Sequence, residues 1–159
     1  MTSPRSNRLA TLIATWFGCG YAPAAPGTAG SLAGIAIAIV LHEFAGFGAW
    51  HFVALTVIAF IPAVWASTRT ARAVGHEDPG IVVVDEVLGQ WLALVGARAF
   101  NWKSYMLAFV LFRLFDIWKP PPVRQLENLS EGLGIVADDL MAGCYAAVLL
   151  LIAGLFHLY

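Results

Sequence analysis

Five of the chain's ten acidic residues sit in stretches that are otherwise almost wholly apolar: Asp85 and Glu86, Asp116, and Asp138 with Asp139. A lone carboxylate at the centre of a bilayer helix costs about 2.5–3.5 kcal/mol on insertion scales, so five of them need something positive to meet. A divalent metal with a phosphate behind it fits best. Mg²⁺ takes octahedral oxygen ligation and keeps several waters, which suits clustered carboxylates and a phosphate oxygen. Arg113, Asp116 and Lys119 recur at three-residue steps and form a slowly turning ridge on one helix. That ridge reads either as a salt-bridge ladder at a membrane edge or as one metal ligand flanked by two phosphate clamps, Arg113 in bidentate fashion. Pro26-Gly27-Thr28-Ala29-Gly30-Ser31 precedes an apolar run. Its glycines, its two hydroxyls and the free N–H groups of a helix start make either a plain cap or an anion site at Gly27, Thr28 and Ser31.

The elements that carry these residues read as membrane helices. The chain has 159 residues, 60% of them hydrophobic and 12% charged, against roughly 25% charged in an average soluble domain. A net charge of -1 with no basic run argues against nucleic acid as a partner. Cys19 and Cys144 form no metal-spaced cluster and are read as small apolar residues. Arg5, Arg8, the apolar run 9–17 and Ala22-Pro23-Ala24 resemble a signal peptide, but crowding prolines favour a retained amphipathic helix.

The pattern predicts helices over 5–17 and 31–44, the second capped by Thr28 or Ser31. An uncharged stretch over 45–66 is long enough to span a bilayer, with Pro62 kinking its end. A short polar helix over 67–74 follows, then a break at 76–80. Helices over 81–97 and 103–118, a stop at Pro120-Pro121-Pro122, an amphipathic surface piece over 125–134 and a last apolar helix over 135–158 complete the reading. No repeat or boundary divides the chain, so 1–159 is expected to be one domain: an all-α, compact multi-helix bundle embedded in the membrane bilayer.

Three strips of small residues lie on helix faces: Asp85, Gly89, Ala93 and Gly96/Ala97; Asp139, Gly143 and Ala147; and Gly30, Gly34 and Ala38. Such faces let helix backbones approach closely in lipid. Two of them continue directly from a carboxylate, which turns those acids toward the bundle interior. Arg5/Arg8, Arg69/Arg72 and Lys119/Arg124 fall on one side if 31–66 go out and back, and the joining segment 41–50 carries no Lys or Arg. Arg98 and Lys103 then land on the other side if 81–97 and 103–118 cross fully, so those two helices are expected to be short or partly enclosed by protein.

Rival motifs fail on residue type. Ile81-Val-Val-Val-Asp85-Glu86 reads like a Walker B strand, but the glycine-rich loop 18–30 contains no lysine to cradle a nucleotide phosphate. An aspartate-nucleophile strand wants a second acid at position 87, which is Val. The four histidines are scattered, and neither cysteine is followed by arginine at a cysteine-phosphatase spacing.

Gly18-x-Gly20 through Pro26-Gly-Thr-x-Gly-Ser31, Val84-Asp-Glu-Val-Leu-Gly-Gln-Trp91, Phe112-Arg-Leu-Phe-Asp-Ile-Trp-Lys-Pro120 and Gly134-Ile-x-x-Asp-Asp-x-x-Ala-Gly143 occur in that order. Together they resemble the bacterial phosphatidylglycerophosphatase A family over nearly the whole chain. The resemblance implies a Mg²⁺-dependent lipid phosphatase that turns phosphatidylglycerophosphate into phosphatidylglycerol and phosphate. It further implies an all-helical fold in the bacterial inner membrane, with the active site facing the cytoplasm. Two positions depart from the family's usual pattern: Pro121, where an aromatic is usual, and Glu131-Gly132, where paired glycines are common.

The expected mechanism has Asp85, Glu86, Asp116, Asp138 and Asp139 on three helices building one or two Mg²⁺ sites. Arg113, Lys119 and the Gly27/Thr28/Ser31 helix start balance the phosphate charge. Adjacent acids on a helix point about 100° apart, so Asp138 and Asp139 are expected to play unequal parts. A small ion or proton transporter is the alternative, since buried carboxylates on membrane helices also mark ion pathways. Nothing in the sequence sets the oligomeric state.

Overall fold

The computed structural model describes residues 4–159, with side chains from Arg8 onward; the side chain of Arg5 lies outside the described residues. The described chain is all helix and turn: α1 (Pro4–Ala14), α2 (Pro26–Ala45), α3 (Ala49–Val74), α4 (Val84–Leu94), α5 (Trp102–Trp118), α6 (Val123–Leu126) and α7 (Gly132–Leu155). Three of these, α2, α3 and α7, are long and apolar enough to cross a membrane. They carry large apolar side chains outward, such as Val57, Ile58 and Ile61 on α3, as lipid contact allows and water does not.

The short α4 is the centre of the bundle. At 11 residues it is about 16 Å long, well short of the roughly 30 Å hydrocarbon core. It is wrapped by α2, α3, α5 and α7, with Val84, Val87, Leu88, Trp91, Ala93 and Leu94 all buried. Helix was expected over 81–97, but the ends are taken by other bonds. The Val82 amide donates to the Pro79 carbonyl at 2.9 Å and the Val83 amide to the Ala14 carbonyl at 2.8 Å. The entry to α4 is thereby tied to the end of α1. The expectation that this helix is short and enclosed by protein holds.

The small-residue strips are where backbones meet. A Cβ on Gly143 would lie 2.5 Å from the Gly89 carbonyl oxygen, and one on Gly89 would lie 2.7 Å from the Asp139 carbonyl oxygen. A Cβ on Gly96 would overlap the Ala147 carbonyl. α4 and α7 thus run against each other along both strips. Gly30 and Gly34 admit Val83, Val87 and Gln90 to the face of α2, and Trp91 Nε1 donates to the Gly34 carbonyl at 3.1 Å.

Several boundaries differ from the sequence reading. α2 begins at Pro26, in the first turn where proline needs no N–H partner, so neither Thr28 nor Ser31 is a cap. Ser31 Oγ instead donates to the Gly27 carbonyl at 2.9 Å, one turn back. α3 continues through Pro62 to Val74 as one 26-residue helix, absorbing the expected polar helix 67–74. α7 begins at Gly132, whose amide donates to Thr68 Oγ1 at 3.1 Å. The expected surface piece 125–134 is therefore split between the four-residue α6, a turn and the first residues of α7.

The chain crosses the bundle so that its turns collect at two ends. The starts of α2, α4 and α7 and the ends of α3 and α5 gather at one. At the other, the His42 ring stacks on Phe100 at 4.7 Å and the Arg98 amide donates to the Tyr159 hydroxyl at 3.3 Å.

Candidate metal and phosphate site

Asp85 and Glu86 stand in the first turn of α4, where the helix dipole favours negative charge. Asp139 stands on α7, four residues before Gly143 as Asp85 stands four before Gly89. The close approach at the two glycines brings those two acids together across the helix pair. One carboxylate oxygen from each of Asp85, Glu86 and Asp139 lies within 4.8 Å of the others. Asp85 and Asp139 are buried, at 7% and 4% exposure. Asp85 Oδ1, Glu86 Oε2 and Asp139 Oδ2 are buried with no hydrogen-bond partner among the described residues. Burial and the neighbouring Glu86 and Asp139 push the Asp85 carboxyl well above the ordinary range, and burial raises Glu86 to about 7. Three hard oxygen donors converging on one point with lone pairs unused fit a divalent cation.

The other two acids already have cations. Asp116 pairs with Arg113, three residues earlier on α5. Asp138 Oδ2 accepts from Lys119 Nζ at 2.7 Å, while its Oδ1 accepts the Asp139 amide at 3.0 Å. Adjacent on α7, Asp138 and Asp139 thus face different partners. Lys119 caps α5 in a left-handed conformation, φ 49°, and also meets Glu127 at 3.2 Å. Burial by itself lowers the lysine's pKa, but the bond and charge of Asp138, with Glu127 behind, hold it above the usual value.

All five acids, Arg113 and Lys119 line one cavity of about 300 Å³. Its roof is the start of α2: Ala25, Pro26 and Gly27. A Cβ on Gly27 would overlap Glu86 Oε1 and lie 3.1 Å from Arg113 Nη1, so the α2 backbone passes against the tips of both side chains. Of the expected phosphate-side residues, Gly27, Arg113 and Lys119 are at the cavity; Thr28 and Ser31 are not among its lining, and Ser31 is fully buried. Asp78 lines the cavity too and was missed. It sits in His76-Glu-Asp-Pro-Gly80, whose Pro-Gly pair reads as a chain break. An acid seven residues ahead of Asp85-Glu86 was the available signal.

A family model described as phosphatidylglycerophosphatase A matches residues 12–154. A Bacteroides thetaiotaomicron protein provisionally named phosphatidylinositol-3-phosphatase is 42% identical over 153 residues, covering 94% of this chain and 96% of that protein. Phosphatidylglycerophosphatase A of Haemophilus influenzae is 37% identical, over 86% of this chain and 83% of its own. The Escherichia coli protein of the same name is 37% identical, over 90% and 82%. No solved structure gives a significant match.

Proposed function

The chain belongs to the phosphatidylglycerophosphatase A family and is a phosphatase, and on that premise we propose that it hydrolyses phosphatidylglycerophosphate to phosphatidylglycerol and phosphate with Mg²⁺. The observation that carries the reading is the set of three carboxylates, each with one buried oxygen that has no hydrogen-bond partner, beside two cations in one cavity. Asp85, Glu86 and Asp139 would hold the metal. Bound there, Mg²⁺ supplies polarisation of the phosphoryl oxygens and a more acidic water.

The chain's own groups do the rest. Arg113 and Lys119 turn from Asp116 and Asp138 toward the phosphate and balance its charge, and the first-turn amides of α2 beside Gly27 add donors. The water oxygen bonds to phosphorus in line with the departing ester oxygen. A carboxylate of the cluster takes the water's proton and passes it to the ester oxygen, which leaves as the polyol hydroxyl. Asp116 and Asp138 hold the two cations in place between turnovers.

Charge asymmetry supports a cytoplasmic site at the inner membrane. Arg8, Arg69, Arg72, Arg113, Lys119 and Arg124 lie toward the cavity end, and Arg98 and Lys103 lie at the other. The Bacteroides relative's name makes a phosphoinositide headgroup the second reading.

The test is phosphate release from phosphatidylglycerophosphate in detergent, with Mg²⁺ and then with EDTA. Release that EDTA stops and Mg²⁺ restores is expected. Release indifferent to EDTA removes the metal from the mechanism. No release from folded protein sets the substrate aside and makes ion flux in liposomes, the transporter reading, the next assay.

A further inference from the structure

A second cavity, larger than the acidic one, adjoins it. A polar hollow of about 610 Å³ opens between the last turns of α3 and the 127–131 segment. It shares Asp78, Ile135 and Asp138 with the acidic cavity, so the two adjoin at one wall. Cavities of roughly 300–1,000 Å³ take drug-sized ligands, and this one exceeds what a three-carbon polyol needs.

Its lining sets what it can hold. Glu131 is engaged by Arg72, whose Nε donates at 2.8 Å, and Glu127 by Lys119. His76 Nδ1 accepts the Asp78 amide at 3.2 Å, so in the neutral ring Nε2 carries the proton and donates. Glu77 is an acceptor, while Asn128 and Ser130 both donate and accept. This mixture suits hydroxyls, each of which gives one hydrogen bond and receives others. Five carboxylates in the lining, Glu77, Asp78, Glu127, Glu131 and Asp138, disfavour a second phosphate monoester there. Ala71, Leu129 and Ile135 are the only apolar side chains of its lining, too few to seat an acyl chain.

We infer that this hollow is the headgroup subsite. It holds the hydroxylated polyol that carries the phosphate monoester, which reaches past Asp138 into the acidic cavity, and it accepts a ring polyol as well as glycerol. The inference rests on the lipid-phosphatase reading above and adds the class of headgroup and the side chains that select it. Glu77 and Asn128 bind hydroxyls, and neither touches the phosphate.

The experiment compares kcat/KM for three lipids in the same micelles: phosphatidylglycerophosphate, phosphatidylinositol 3-phosphate, and phosphatidate, whose monoester is borne by diacylglycerol with no free hydroxyl. Both polyol lipids are expected to exceed phosphatidate. Asn128→Ala and Glu77→Gln, both at exposed positions, are each expected to lower the polyol-to-phosphatidate ratio roughly two- to tenfold, the range of one net hydrogen bond. Ratios unchanged in both variants overturn the subsite. Inositol lipid turned over no better than phosphatidate overturns the ring-polyol assignment. Failure of the underlying reading looks different: no phosphate is released from any of the three lipids.

Discussion

The two ends of the bundle both carry polar side chains at helix termini, yet they treat them in opposite ways. At the end away from the cavity, polar groups satisfy one another. Asn101 Oδ1 accepts from the Lys103 and Ser104 amides at 2.9 and 3.1 Å, and Ser104 Oγ accepts the Asn101 amide at 2.9 Å. His42 Nδ1 meets the Phe47 carbonyl at 2.7 Å, and the Tyr159 hydroxyl donates to the Leu150 carbonyl at 3.0 Å. The exceptions toward that end, the buried hydroxyls of Tyr105 and Thr56, are neutral. At the cavity end, three carboxyls come together, each with one buried oxygen unpartnered. Leaving a neutral group unpaired costs a few kcal/mol at most in proteins, while a charged one costs far more. Polar groups that close on each other build structure; carboxyls held open at that cost are held for a ligand.

The strongest way to break this contrast is Asp85→Asn. The amide keeps the shape of the carboxyl and removes its charge from the cluster. Turnover is expected to fall by about a thousandfold or more, since the metal would lose a ligand on which the phosphoryl charge depends. Thermal stability in EDTA is expected to hold or rise, because the variant relieves repulsion among three buried acids. Phosphate release and a melting curve on the same sample check both halves. Turnover near the parent level removes Asp85 from the mechanism.

A smaller effect tests how the cluster is assembled. Gly143→Ala puts a methyl 2.5 Å from the Gly89 carbonyl oxygen, so α4 and α7 must part. Overpacking of this kind costs about 1–3 kcal/mol. Displacing Asp139 from Asp85 by about 1 Å is expected to lower kcat about a hundredfold, although residue 143 touches no substrate. A melting shift with kcat preserved would mean that the small-residue seam holds the fold together without setting the site.

How much of this was legible beforehand follows from which forces act locally. The five acids stood out because each breaks an apolar run, and the glycines four residues after Asp85 and Asp139 announced the helix seam. The start of α2 misled, because Thr28 and Ser31 are good caps in isolation; Pro26 at the first helical position and the close pass of Gly27 by Glu86 and Arg113 decide otherwise. Pro62 was expected to kink the end of the 45–66 stretch, before a separate polar helix; a proline removes only one donor, and α3 runs on through it to Val74. The division of labour among the acids, Asp116 with Arg113 and Asp138 with Lys119 against three left open, depends on tertiary packing between α4, α5 and α7. No local pattern encodes it. Glu131, where the resembled family commonly has glycine, stands at φ 55°. The departure thus falls on a left-handed residue in the headgroup hollow, a meaning that only the backbone supplies.

The smallest expected effect completes the contrast from the far end. Asn101→Ala removes the side chain that accepts two amides at the start of α5 and leaves the Ser104 amide without its acceptor, while Ser104 Oγ keeps its bonds to the backbone of residue 101. Loss of such a cap costs about 1 kcal/mol. α5 also carries Arg113 and Asp116, more than two turns away at its other end, so fraying at Asn101 must pass through the buried Tyr105, Ala108 and Phe112 to reach the cavity. Packing there confines the damage, and kcat and KM for the phospholipid are expected to match the parent below the melting transition. Asp85→Asn and Asn101→Ala then form opposite results: activity lost with the fold kept, and stability lost with activity kept. A fall in kcat in Asn101→Ala at a temperature where it is fully folded would show that the two ends are coupled through α5, and that the far end is part of the phosphatase rather than its support.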